Sequence, residues 1–218
     1  MKAPAIRLVL FIIIENIKIK CLEVVKEFNM TAKGIKSRQR VVEYGEVYTP
    51  EHIVKEMLDM VKDESYRIDS KFLEPAAGNG NFIVEILRRK LETASKLDLN
   101  DFDRNVFIAV SSIYAIDILG DNVAESKGRM ISIIKDVYKQ VKGIDIDNNF
   151  LEALEFVIDA NIIHEDTIKG VTKLADNIDN EDILIIDWKM DGDNVVLDEY
   201  IFKDLAHPPL HDKPINTY

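Results

Sequence analysis

Lys71-Phe72-Leu73-Glu74-Pro75-Ala76-Ala77-Gly78-Asn79-Gly80-Asn81-Phe82 is the stretch from which the rest of the chain is read. An apolar run enters it, an acid and a proline mark a turn, and two glycines follow at alternate positions. Ile83, Val84, Ile86 and Leu87 then open a helical pattern, so the spacing predicts strand, tight loop and helix. Glycine at 78 and 80 permits positive φ and lets a ligand approach the backbone closely. The helix start just beyond adds free amides and the positive end of a dipole, which suits a nucleotide-like ligand. A bare pair of glycines more often marks an ordinary turn, so the neighbouring segments have to carry the functional reading.

Upstream, Tyr44-Gly45-Glu46-Val47-Tyr48-Thr49-Pro50-Glu51 predicts a helix capped by Thr49, with Pro50 in its first turn and Glu51 near the positive dipole end. Ile53, Val54, Met57, Leu58 and Val61 give that helix an apolar face. Downstream, a helix over 82–97 carries Phe82, Ile83, Ile86, Leu87 and Leu91 on its apolar side. After the polar stretch Asp98–Asn105 come two apolar runs, Val106–Val110 and Ile113–Ile118, the second a buried strand with Asp117 near its end. An acid at the carboxyl end of the second strand of an open α/β sheet is placed to accept hydrogen bonds from a ribose. Taken alone, Asp117 is as well explained by a solvated strand end or a helix cap. Asn122–Val141 and Phe150–Ile158 read as helices, and Asn161–Thr167 as a further strand followed by acids. His164-Glu165-Asp166 lacks the spaced partners of a zinc site, so no metal is expected.

In this order the segments resemble the amino-terminal half of a gamma-type N6-adenine DNA methyltransferase dependent on S-adenosylmethionine (AdoMet). Leu73–Phe82 resembles motif I, including the form found in modification subunits of restriction systems. Gly45–Pro50 resembles motif X, Asp117 the acid of motif II, and Asn161–Thr167 motif III. The resemblance covers about residues 41 to 190. It implies a Rossmann-like AdoMet-dependent methyltransferase fold, complete or cut short: an α/β, mostly parallel sheet flanked by helices, with the cofactor at the strands' carboxyl ends. It also implies that Tyr48, Thr49 and Pro50 help hold the methionine end of AdoMet, that Glu74, Ala76, Gly78, Gly80 and Phe82 form the loop site, that Asp117 meets the ribose, and that Ile118 and Asp166 lie by the adenine.

Such enzymes carry a fourth motif, Asn/Asp-Pro-Pro-aromatic, whose polar side chain accepts hydrogen bonds from the exocyclic amine while the ring stacks on the flipped base. Here the expected strand Asp182–Ile186 is followed by Asp187-Trp188-Lys189-Met190, without Pro-Pro. Asp187 is a candidate acceptor and Trp188 a candidate stacking ring, although Trp188 reads equally as a core aromatic. Met190–Asn194 resembles a hairpin turn instead of a catalytic loop. His207-Pro208-Pro209-Leu210 has the prolines but neither the Asn/Asp nor the aromatic, and reads as a tail. The catalytic motif is degenerate or missing.

With 218 residues, 47% of them hydrophobic, the chain has material for one substantial domain. Residues 1–40 read as an amino-terminal extension or packing segment, and residues 41–218 as the AdoMet-binding domain, with no separate target-recognition domain. The apolar run Leu8–Ile14 is too short for a membrane span and lacks a cleavage signal, and the single Cys21 supports no disulfide framework, so the expectation is cytoplasmic. A net charge of −11 argues against gripping DNA unaided, because phosphate neutralisation supplies most of such affinity. DNA is therefore expected through a partner chain, with a specificity or restriction subunit as a candidate. The basic cluster Lys33, Lys36, Arg38 and Arg40 reads first as a solvated face and second as a phosphate contact. Three functions follow: a DNA adenine methyltransferase or modification subunit completed by a partner, a non-catalytic AdoMet-binding subunit or remnant, and a methyltransferase acting on a small molecule or protein.

Overall fold

The computed structural model describes residues 36–167, 183–192 and 194–202, and the backbone of 212–214. The Leu8–Ile14 run, Lys33 and the His207–Leu210 tail lie outside the described residues. Three short strands, β1 (Phe72–Glu74), β2 (Ile113–Asp117) and β3 (Ile162–His164), form a parallel sheet in the order β1-β2-β3. Its register sets Phe72 beside Ile113 and Asp117 beside His164.

Around it stand α1 (Arg38–Tyr44), α2 (Glu51–Asp59), α3 (Lys62–Tyr66), α4 (Asn81–Ala94), α5 (Phe102–Ser111), α6 (Gly120–Lys142) and α7 (Asn148–Asn161). The chain is thus α/β, with a three-stranded parallel sheet flanked by helices. Every residue of β2 is buried, as expected of a parallel strand covered on both faces.

Alternation along the strands divides the core in two. Phe72, Ile113, Ala115 and Ile162 point into a cluster with Leu58, Ile83, Leu87, Val106, Met130 and Leu154 from the helices. Leu73, Tyr114 and Ile116 point the other way, against Ile183, Ile185, Tyr200 and Phe202. That second face is covered by an antiparallel hairpin, β4 (Leu184–Asp191) and β5 (Asn194–Ile201), where the sequence reading expects helices. Asp191 pairs with Asn194 across a two-residue connection in which Gly192 has φ 62°. The positive φ is the reason glycine suits this turn. The short strand β6 (Asp212–Pro214) pairs with β5.

Two local readings change, and one buried charge comes to light. The amino-terminal cap of α2 is Pro50, with no side-chain cap bond, so Thr49 does not cap it; the Thr49 carbonyl instead accepts from Asn81 Nδ2 at 2.9 Å. The polar stretch 98–105 already turns helical: Asp98 caps a 3-10 turn over Leu99–Asp101, and α5 starts at Phe102. Phe102, Val106, Ala109 and Val110, all buried, show the helical spacing. Finally, Lys90 on the inner side of α4 is fully buried, with its amine bonded to the carbonyls of Ile68 and Ser70 and to Ser112 Oγ. Burial pushes its ammonium well below the usual value.

Candidate functional site

At the carboxyl end of the sheet, β1 and β2 end in the acids Glu74 and Asp117, and the loop to α4 turns between them. Gly80 N–H donates to the Ala77 carbonyl at 2.9 Å, which closes the turn, and Gly80 itself is the amino-terminal cap of α4 with φ 83°. A Cβ at Gly80 would lie 2.6 Å from Ser126 Oγ on α6. Gly78, with φ 53°, has the Tyr48 ring against it, 3.1 Å from where a Cβ would stand. Both glycines are therefore required by backbone conformation and by close packing, whatever ligand the loop takes.

Asp117 holds this loop. One carboxylate oxygen accepts from Gly78 N–H at 2.7 Å, and the other accepts from Leu119 N–H at 2.9 Å and from Asn122 Nδ2 at 3.3 Å. A carboxylate offers about four acceptor sites, so three internal bonds leave capacity for one more. Glu74 is half-buried and accepts from Ala76 N–H at 3.3 Å. Burial, together with the charge of Asp117, pushes its carboxyl up to about 7. Ile118, the next residue, is 44% exposed.

The segment after β3 crosses back over these strand ends. Glu165 N–H donates to the Asp117 carbonyl at 3.0 Å, and Thr167 Oγ1 donates to the Pro75 carbonyl at 2.6 Å, with half-buried Asp166 between them. His164 Nε2 lies 3.0 Å from the Ile118 carbonyl, and its ring fills the space a side chain at Gly120 would need. That contact gives His164 a structural role.

Residues not singled out in the sequence complete the site. Asn122, 1% exposed, donates to Glu46 Oε1 at 2.8 Å as well as to Asp117, and its Oδ1 accepts from Lys36 Nζ at 2.8 Å. The Tyr48 hydroxyl sits 2.9 Å from Glu46 Oε1 and 3.0 Å from Asn122 Oδ1. Burial and the neighbouring Glu46 push that phenol up to about 12. Arg129 reaches from α6 to the Asn79 carbonyl at 2.6 Å and to Asn81 Oδ1 at 2.9 Å. Spacing gives no signal for such partners, which lie tens of residues apart.

Two members of the basic cluster are neutralised by neighbouring acids. Arg40 pairs with Glu46 at 2.6 Å and Asp121 at 2.8 Å, and Lys36 with Asp121 at 3.2 Å and Glu125 at 2.9 Å. The Arg40 guanidinium holds the Asp121 carboxyl down at about 2, and it lowers Glu46 as well. This favours the reading as a surface face over a phosphate contact.

The sequence candidates thus fall into two groups. Tyr48, Thr49, Glu74, Ala76, Gly78, Gly80, Asp117 and Ile118 gather around the loop, Pro50 adjoins it, and Asp166 lies just past β3. Phe82 packs partly on the helical core. Asp187 and Trp188 are elsewhere. Asp187 is 2% exposed and bonded to Lys71, which precedes β1. The Trp188 indole N–H donates to Asn161 Oδ1 at 2.9 Å, just before β3, and its ring meets Phe156 edge-on at 6.1 Å. Lys71 and Asn161 mark the amino-terminal end of the parallel sheet, the end away from the glycine loop. Both side chains are bonded inside the core, away from the loop around which the other candidates gather.

Among the described residues no helix is long and apolar enough to cross a membrane. Comparison with known protein families, with curated proteins and with solved structures finds no match for this chain.

Proposed function

We propose that this chain binds AdoMet at the carboxyl end of its parallel sheet and is the cofactor-binding part of an N6-adenine DNA methyltransferase of the restriction-modification type, with the base-binding loop supplied by a partner chain. The observation that carries the reading is the glycine loop set between Glu74 and Asp117, with Tyr48 packed against Gly78. The residues fit the group. Two carboxyls face the site of a ligand that carries ammonium and sulfonium charges, and Glu74, at about 7, ionises more readily beside a cation. Exposed Ile118 offers apolar surface to a base, and Asp117 keeps a lone pair for a hydroxyl. Bound AdoMet would supply an electrophilic methyl; this chain's residues bind and orient it, since transfer depends on alignment with the acceptor.

A second reading, an AdoMet-binding subunit that transfers no methyl group, is favoured by the burial of Asp187 and Trp188 away from the loop. Both share the binding step. Asp117→Ala should weaken AdoMet binding by about 1–3 kcal/mol, as expected for lost hydrogen bonds to a charged acceptor and a loosened loop. Unchanged affinity would remove Asp117 from the site. Methyl transfer to unmodified DNA, assayed with and without the products of neighbouring genes, then separates the two: activity that needs the added chains supports the first, and none under either condition supports the second.

A further inference from the structure

We infer that Asn122 is a positioning residue through which the segment from Lys36 to Glu46 sets the conformation of the glycine loop, so that docking of α1 and occupation of the loop site are coupled. The coupling deepens the AdoMet-binding reading above and rests on it only where a ligand is added.

α1 contributes no buried residue, and Val42 and Tyr44 on it are exposed. Polar links join it to the body: Arg40 to Glu46 and Asp121, with Lys36 just ahead of the helix bonded to Asp121, Glu125 and Asn122. A helix held by ion pairs, with no fully buried side chain, sits at the low end of local stability. Those ion pairs converge on Asn122, whose amide has its donor side on Glu46 and Asp117 and its acceptor side on Lys36, the Tyr48 hydroxyl and, at 3.4 Å, Arg40. Asp117 in turn accepts from Gly78 N–H, and Tyr48 packs on Gly78. Gly78 is therefore reached from Arg40 by two routes, through Glu46 and Tyr48 and through Asn122 and Asp117. A buried polar network that is fully bonded specifies one arrangement, and loss of one member frees the others. By linkage, whatever orders the loop also orders α1.

Amide hydrogen exchange on the full chain tests this without any ligand. Arg40→Met, at a partly exposed position, should speed exchange at Gly78 on the order of tenfold, the size expected for a weakened charged hydrogen-bond network. Asn122→Ser should do the same and also speed exchange across α1. Emission of Trp188, which lies at the other end of the sheet, reports that the core is intact in each variant. Gly78 protection unchanged in Arg40→Met with the core intact would overturn the coupling. Added AdoMet should slow exchange in α1 of the wild-type chain and slow it less in Arg40→Met. Slowing at Gly78 with none in α1 would also overturn the coupling, whereas no effect of AdoMet at either place would count against cofactor binding and leave the ligand-free comparison to decide the network.

Discussion

Two regions of this molecule hold an acid and an aromatic ring, and they differ in what those side chains have left to offer. At the amino-terminal end of the sheet, Asp187 is bonded to Lys71 and Trp188 to Asn161, both inside the core. At the carboxyl end, Glu74 is half-buried with its carboxyl raised to about 7, and Tyr48 and Ile118 border a backbone loop. The first pair has its polar atoms satisfied by the fold. The second region retains unmet electrostatic demand, which marks a candidate binding site.

The sharpest way to break this contrast is Asp187→Ala. Removal of buried Asp187 leaves half-buried Lys71 without its partner, so a loss of about 3 kcal/mol in unfolding free energy is expected, the low end for a buried pair because Lys71 reaches solvent, with AdoMet affinity unchanged in the variant that remains folded. A selective loss of ligand affinity with stability intact would return Asp187 to the site. At the other end, Gly80→Ala forces a side chain into positive φ and against Ser126 Oγ. A cost of about 2–3 kcal/mol is expected from denaturant unfolding, together with weaker ligand binding. A variant as stable as the parent would show that the loop is looser than its packing implies.

Glu74→Gln should have a smaller effect, and of the opposite sign. Its folded-state value of about 7 lies above the ordinary 4.5, so the folded chain resists ionisation that the unfolded chain undergoes. Below pH 4.5 both states are protonated and the group is neutral to stability; as pH rises toward 7 stability falls, and above 7 the deficit is constant. Glu74→Gln should therefore stabilise the chain by about 1–2 kcal/mol near pH 8, solvent contact reducing the full linkage value, and by nothing near pH 4. Equal melting temperatures of variant and parent at both pH values would show that Glu74 is not held in this environment.

The same contrast explains what the sequence could reveal. The glycine loop, the acid at the end of β2, the helical faces and the turn at Gly192 were legible because each is written in local spacing or in a backbone conformation that few residues adopt. α5 was less so, since its first turn lies in a polar stretch and only the interval from Phe102 to Val110 betrays it. Asp187 and Trp188 followed an apolar strand as a catalytic motif would. Spacing carries no record of the direction in which β4 runs, and here it pairs antiparallel with β5, with both residues inside the strand and bonded to Lys71 and Asn161. Asn122 and Arg40 were invisible for a related reason: their partners are set by tertiary packing, as in the contact of Arg40 with Asp121.

The account stands or falls on titration calorimetry of the full chain with AdoMet from about pH 5 to about pH 8. A cationic ligand favours ionised Glu74, so single-site binding should strengthen as pH rises to about 7 and then level off, with the rise absent in Glu74→Gln. No saturable binding at any pH, with Gly78, Gly80 and Asp117 intact, would contradict it.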